Sequence, residues 1–312
     1  MSTNIKVPFL VARLPDTKGK EPKQNKYCGG TIFVDGASGF IFVSHQITLN
    51  AGETVRSKRA WESYAADFGI NIKSYHCDNF PFNSEEFKAD LAAKHQTMSN
   101  SGTGAHHQNG VAERAIKTVS AWARAMLLNM IIHWPDKADV SLWPFAMDHA
   151  VYIWNHLPRK DSLLAPIEIF SSVKFSSYSH LQRLHVWGCP VYVLDPKLQD
   201  GRKLPKWDPR ARRGQYLGVS TTHSTTIGRI LNLRTGHVSP QYHVVYDDLF
   251  TTVPNAESGG IVQDTTFNQD MWSKLIKCGV ERAIDEDFNE EGNRVQHMPE
   301  LHEDWLTPME IL

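Results

Sequence analysis

Apolar and polar positions along the chain fall into four textures. The first 29 residues are polar and lysine-dotted (Lys18, Lys20, Lys23, Lys26) and sustain no period. The run TIFVDGASGFIFVSHQ then sets two segments rich in Ile, Phe and Val around Asp35-Gly36-Ala37-Ser38-Gly39, which predicts a β-hairpin whose turn glycines accept positive φ. ETVRSKRAWESYAADFG places Trp61, Tyr64, Ala65 and Phe68 on one face and predicts a helix stopped at Gly69. Asn71–His76 predicts a short strand, and SEEFKADLAAKH predicts a helix with acids in its first turn. An extended piece at Gln96–Met98 leads into SNSGTGAHHQNG, a glycine- and serine-rich loop expected to be mobile. A long helix is predicted from Asn109 toward Ile132, striped by Val111, Ala115, Val119, Trp122, Met126 and Met130. SLWPFAMDHAVYIWNHL predicts a further helix ending at Pro158. Strand and helix alternate through residues 30–156, so the expected class there is α/β.

From Leu184 the texture changes to short β-like runs, VWGCPVYVL, GQYLGVS, GRILNL and HVVYDD, separated by Gly, Pro, Asp and Asn. That pattern predicts a small all-β barrel or sandwich. After Pro254 the chain becomes acidic and is expected to be a partly ordered extension.

Composition narrows the class. At 312 residues and 41% hydrophobic, the chain has room for one large or two modest domains. No stretch is expected to approach the ~18 apolar residues of a membrane span, and MSTNIKVPFLVARL lacks the apolar run of a secretion signal. The four cysteines, at 28, 77, 189 and 278, form no CxxC pair, which argues against a disulfide scaffold or a cysteine zinc site. An intracellular chain without a membrane partner is the expectation. The net charge of −1 conceals a split: from Asn255 onward there are 13 acidic and 4 basic residues, leaving 29 basic and 21 acidic before them. A +8 body with a −9 tail fits either a nucleic-acid partner or an ordinary surface with a solubilising tail.

Three acids are candidates for chemistry. Asp78 follows a predicted strand, where α/β sheets place functional groups. Glu113 lies in the first turn of the long helix, and Asp35 sits in the hairpin turn. Two carboxylates converging at a strand end and a helix start could hold Mg²⁺ or Mn²⁺ with waters left for a phosphate substrate. The structural alternative is that Asp78 caps a turn and Glu113 complements a helix dipole. His76, His106, His107 and Gln108 flank the region and read equally as loop or packing residues. Lys197, Arg202, Lys203, Lys206, Arg210, Arg212 and Arg213 face only Asp200 and Asp208 within PKLQDGRKLPKWDPRARRG, and they could contact phosphates or form a solvated turn region. The aromatics of WESY, WARA and WPFAMDHAVYIW read as core.

YHCDNFPFNSEEF together with GAHHQNGVAERAIKT resembles the integrase core of retroviruses and LTR retrotransposons, of the copia type. Asp78 and Glu113 stand 35 positions apart, the spacing of that family, and the words WNHLP, PIEIF, HLQRLHVWGCPVYV, KWDPRARRGQYLG and HVVYDD continue the resemblance to about Asp248. The resemblance implies an RNase H-like core with a D,D,E triad, then a small SH3-like domain. It also implies metal-dependent phosphodiester cleavage and strand transfer, in which water and then a DNA 3′-hydroxyl attack phosphorus in line. Asp78 and Glu113 would then be catalytic metal ligands for two Mg²⁺ or Mn²⁺ ions. Lys117 would contact the DNA end, although its i,i+4 spacing also allows a salt bridge to Glu113. Element ends and target DNA would be the partners, a homo-oligomer is possible, and the nucleus would be the site of an active enzyme.

Three departures stand beside the matches. Asp35 falls in the turn and not in the first strand, MSTNIKVPFLVARL contains no acid, and Asp16 is the one candidate for the third carboxylate upstream of Lys18. The chain is thus expected to start just after the first-strand Asp. Phe80 replaces the glycine that usually follows Asp-Asn, and no HxxxH…CxxC zinc domain precedes the core. The expected organisation is a polar segment at 1–28, an N-terminally truncated integrase core at 29–175, an SH3-like β domain at 176–253 and an acidic extension at 254–312. Two functions are carried forward: an integrase, or an inactive relic that binds nucleic acid or protein.

Overall fold

Residues 29–34 and 41–46 alternate in and out of two cores, and this period of two makes them a hairpin. Strands β2 (Gly29–Val34) and β3 (Ile41–Gln46) pair antiparallel in full register, Val34 opposite Ile41. Their turn is held by Asp35, whose Oδ2 accepts from the Ser38 N–H (2.8 Å) and the Ser38 hydroxyl (2.6 Å). Residues 2–6, 27–78, 81–100 and 109–253 of the computed structural model are described here. The chain divides into two units, Met1–Gln263 and Asp264–Leu312, the second wholly outside the described residues.

The first sheet has the order β3-β2-β1-β4-β5, with β1 (Ser2–Lys6) antiparallel to β2, and β4 (Ser74–Cys77) parallel to both β1 and β5 (Thr97–Asn100). Helices packed on this mixed sheet give the α/β class expected for residues 30–156. Within the segment expected to be polar, Ser2–Lys6 is the central strand. STNIK shows no alternation, and its strand state comes from ladders supplied on both sides.

Alternation divides the sheet between two packed layers. Ile32, Val34 and Ile41 face helices α3 (Gly110–His133) and α4 (Trp143–His156). Phe33, Phe40, Tyr75 and Cys77 face α1 (Ala51–Asp67), α2 (Glu85–Ala93) and α5 (Pro166–Ser171). Both α1 and α2 start where Asn50 and Ser84 accept from the backbone N–H three residues on. The inner face of α3 is Ala112, Ala115, Ile116, Val119, Ala123, Leu127 and Met130, rotated from the expected stripe so that Val111 is 44% exposed. This helix is also long and apolar enough to cross a membrane by length and composition, contrary to the expectation from the sequence. Here that apolar surface packs on the sheet and on α4.

Asn155, near the end of α4, works on the edge strand β3. Its Nδ2 donates to the Ile41 carbonyl (2.7 Å) and its Oδ1 accepts from the Ile41 N–H (2.8 Å). Trp154 Nε1 donates to the Gly39 carbonyl (3.0 Å). The word WNHLP is therefore a clasp between α4 and the hairpin. PIEIF is structural too: buried Glu168 accepts from the N–H groups of Ala165 and Phe175 and from the Tyr178 hydroxyl.

The second sheet is antiparallel throughout, in the order β10-β6-β7-β8-β9. Its strands are β6 (Pro190–Leu194), β7 (Ala211–Val219), β8 (Gly228–Asn232), β9 (Val238–Gln241) and β10 (Val244–Tyr246). Val191, Val193, Tyr216 and Ile230 build a cluster with Trp134, Phe250 and Val253. Leu217 and Leu231 instead join the core of α3 and α4. The register of β7 against β8 shifts between Tyr216 and Val219. Gly218 lies there at φ +110°, where a Cβ would stand 3.0 Å from His149 Nδ1.

Candidate functional site

The two expected carboxylates lie where strand and helix geometry predicts. Asp78 directly follows β4 and is half-buried. Glu113 occupies the first turn of α3, also half-buried, where a negative charge is favoured by the helix dipole. Beside β4, Ser2 of β1 pairs with Cys77 in parallel register. Strand β1 reads Ser2-Thr3-Asn4-Ile5-Lys6 and contains no carboxylate. Asp16, His106, His107 and Gln108 lie outside the described residues. Among the described residues, no group of three His, Cys, Asp or Glu side chains gathers to hold a metal ion. Asp78 and Glu113 alone do not make a two-ion centre, which needs bridging and flanking oxygen ligands.

Other residues of this region have structural duties. His76 Nδ1 bonds the Ser99 hydroxyl at 2.8 Å, across the β4–β5 ladder. Lys117 is exposed, one turn beyond Glu113, and no salt bridge joins the two among the described residues. Asn109 was not singled out by sequence reasoning. It stands at the N-cap of α3, 1% exposed, and neither Oδ1 nor Nδ2 finds a hydrogen-bond partner. The residue type is a common helix cap, so nothing in the sequence signals that its amide is left over.

The basic residues belong to the second sheet. Lys197 is in the short helix α6 (Pro196–Gln199), and Arg202, Lys203, Lys206 and Arg210 lie in the exposed connection to β7, which opens with Ala211, Arg212 and Arg213. Among the described residues none of the seven forms a salt bridge. Arg213 lies over the Trp134 ring at 5.7 Å, and Lys206 over the Trp207 ring at 5.2 Å.

Two ionic clusters were invisible in the sequence. Between α1 and α2, Lys58 is fully buried with its Nζ 2.7 Å from Glu62 Oε1 and 2.7 Å from Asp90 Oδ2, and Arg59 reaches Asp90 as well. Burial would raise both acids, but the lysine and arginine partners outweigh it and hold Asp90 and Glu62 below the usual carboxylate range. Between the sheets, Asp148 of α4 bonds His45 Nε2 of β3 at 2.7 Å and Arg229 Nη1 of β8 at 3.0 Å. Burial raises the Asp148 pKa, yet His45 and Arg229 overcome it and bring the carboxyl to about 2. The adjacent His149 is 2% exposed with an unpartnered Nδ1. Burial, assisted by Arg229, pushes its imidazole down to about 4.

No family model matches the chain. The retrovirus-related Pol polyprotein from transposon RE1 of Arabidopsis thaliana is 28% identical over 141 residues, which is 45% of this chain and 8% of that polyprotein. The HTLV-2 integrase catalytic core domain in complex with magnesium, in its trimeric form, covers 54% of this chain with 94% of its own at 20% identity and a TM-score of 0.36. The simian T-cell lymphotropic virus intasome in complex with the PP2A regulatory subunit B56 gamma covers 78% of this chain with 77% of its own, at 14% identity and a TM-score of 0.39. The fold assignment rests on the strand order 3-2-1-4-5. The chain is thus a mixed α/β protein that is similar over part of its length to a transposon polyprotein.

Proposed function

We propose that this chain is an integrase-like, DNA-binding protein of copia type that keeps two members of a catalytic carboxylate set and does not carry out strand transfer. In this reading Ser2–Lys6 and residues 29–175 form the RNase H-like core, 176–253 an SH3-like domain, and 254–312 an acidic extension. Asp78 and Glu113 are the retained carboxylates, Lys117 meets a DNA end, and Arg202, Lys203, Lys206, Arg210, Arg212 and Arg213 contact backbone phosphates. The observation that supports the reading is that Ser2–Lys6, the central strand beside β4, contains no acid. Losing one of three metal-binding carboxylates weakens ion affinity and disturbs two-ion geometry. The seven cations, none of them in a salt bridge among the described residues, support polyanion binding, which falls steeply with salt as counterions are released.

The test is a strand-transfer assay with Mn²⁺ or Mg²⁺ beside a salt titration of DNA binding. Binding with a steep negative salt slope and no strand transfer is the expected outcome. Robust transfer abolished by both Asp78→Asn and Glu113→Gln would overturn the inactive reading. If Asp16→Asn abolished it too, Asp16 would be the third ligand.

A further inference from the structure

Seven tryptophans lie within the described residues, and six are buried or half-buried. Trp207 is 89% exposed. It stands on a turn whose geometry is fixed from both sides. Pro205 and Pro209 bracket Lys206-Trp207-Asp208, and the Asp208 N–H donates to the Pro205 carbonyl (3.2 Å), so Lys206 and Trp207 occupy the two corner positions. The Lys206 ammonium lies over the ring at 5.2 Å, and the indole's exposure leaves its faces largely open to solvent. Lys203, Lys206 and Arg210 are exposed on the same connection and make no salt bridge among the described residues.

An exposed indole on a proline-stiffened turn loses little freedom when something stacks on it. Protein interfaces also use tryptophan and arginine, but they deplete lysine and bury their anchors in apolar surroundings. Here the surroundings are cations that form no salt bridge among the described residues. The occupant they suit is a polyanion with planar faces: an unpaired DNA strand, whose bases stack on aromatic rings while its phosphates meet Lys and Arg. We propose that Trp207 is a stacking platform for an unpaired nucleotide, with Lys203, Lys206 and Arg210 holding the flanking phosphates. This inference rests on the DNA-binding reading above and adds to it a preference for single strands. A blunt duplex keeps its bases stacked on one another and offers the indole only its ends.

The full chain is titrated with an oligothymidine strand and with a blunt duplex of equal length, at several salt concentrations. Trp207→Leu is expected to weaken strand binding about tenfold while leaving the duplex and the salt slope unchanged, since no charge is removed. Trp207→Phe is expected to restore most of the loss. Lys206→Gln is expected to weaken both ligands and flatten the slope. An unchanged melting temperature in Trp207→Leu shows that the fold is intact. Equal binding of both ligands by Trp207→Leu and the wild type, or equal weakening of both, would overturn the platform while sparing the DNA-binding reading. Failure of the wild type to bind either ligand would overturn both. A Trp207-dependent preference for polyglutamate would make the surface a protein dock, and one for oligouridine over oligothymidine would replace DNA with RNA.

Discussion

Asn155 shows how much a single side chain carries when it meets the edge of a sheet. Edge strands leave N–H and C=O groups unpaired, and at Ile41 the Asn155 amide satisfies one of each while itself only 4% exposed. Replacing the amide by an apolar isostere strands a backbone donor and acceptor that cannot reach water. Each such buried group costs roughly 1–3 kcal/mol. Asn155→Leu is therefore expected to lower stability by about 3 kcal/mol, read as a fall in the urea midpoint with an unchanged m-value. Asn109 presents the opposite case at the head of α3, an amide whose hydrogen-bonding capacity is unspent.

At the scale of elements, α1 and α2 are fastened by ions and not by the aromatic face alone. The buried face of α1 includes Thr54, Val55, Ser57, Lys58, Trp61 and Ala65. Lys58→Met removes the shared cation and leaves Asp90 with Arg59, and Glu62 with Lys94, Gln96 and the Tyr75 hydroxyl. Removing one partner of a buried pair costs about 3 kcal/mol, and thermal or urea unfolding of the variant measures it. Lys58 reads as solvated in the sequence because Asp90 stands 32 positions away. The same distinction explains what else was legible. The hairpin, α1 to α4 and most of the second sheet announce themselves through periods of 2 and 3.6 and through glycine turns, all local signals. Strand β1 has no such period, and β9, with Pro240 in it, reads as a breaker; proline is tolerated there because β9 is an edge. Asp78 and Glu113 were legible from their places at a strand end and a helix start. The pairing of β1 with β4 was not, since it joins residues some 75 positions apart.

For the whole molecule, the pairing of Asp148 with His45 and Arg229 beside buried His149 makes the junction of the two sheets the acid-sensitive point. The unfolded chain binds a proton at His149 near pH 6.5, whereas the folded chain resists it until about 4. Between those values the unfolded state holds more protons, so stability falls as pH drops from 6.5 to 4, by about 3 kcal/mol for this group. The Asp148 carboxyl, held at about 2 against an ordinary 3.8, contributes stability above pH 3.8 that is lost on further acidification toward 2. Denaturant midpoints measured from pH 7 to 4 are expected to decline less steeply in His149→Gln than in the wild type.

Strand β1 has one more consequence, and it concerns time. Ser2–Lys6 is flanked in the sheet by partners that follow it in the chain, β2 first and β4 only at Ser74–Cys77. A ribosome adding roughly 5–20 residues per second needs on the order of 4–14 s to reach Cys77 after Lys6. Until β4 arrives the future centre of the sheet can pair only on its β2 side, and its other edge is open to any other strand that emerges. The hairpin of β2 and β3 closes on its own within microseconds, so the nascent chain holds a finished edge while its middle is still waiting. Conditions that slow elongation lengthen this wait, and the yield of folded protein depends on how fast β4 follows.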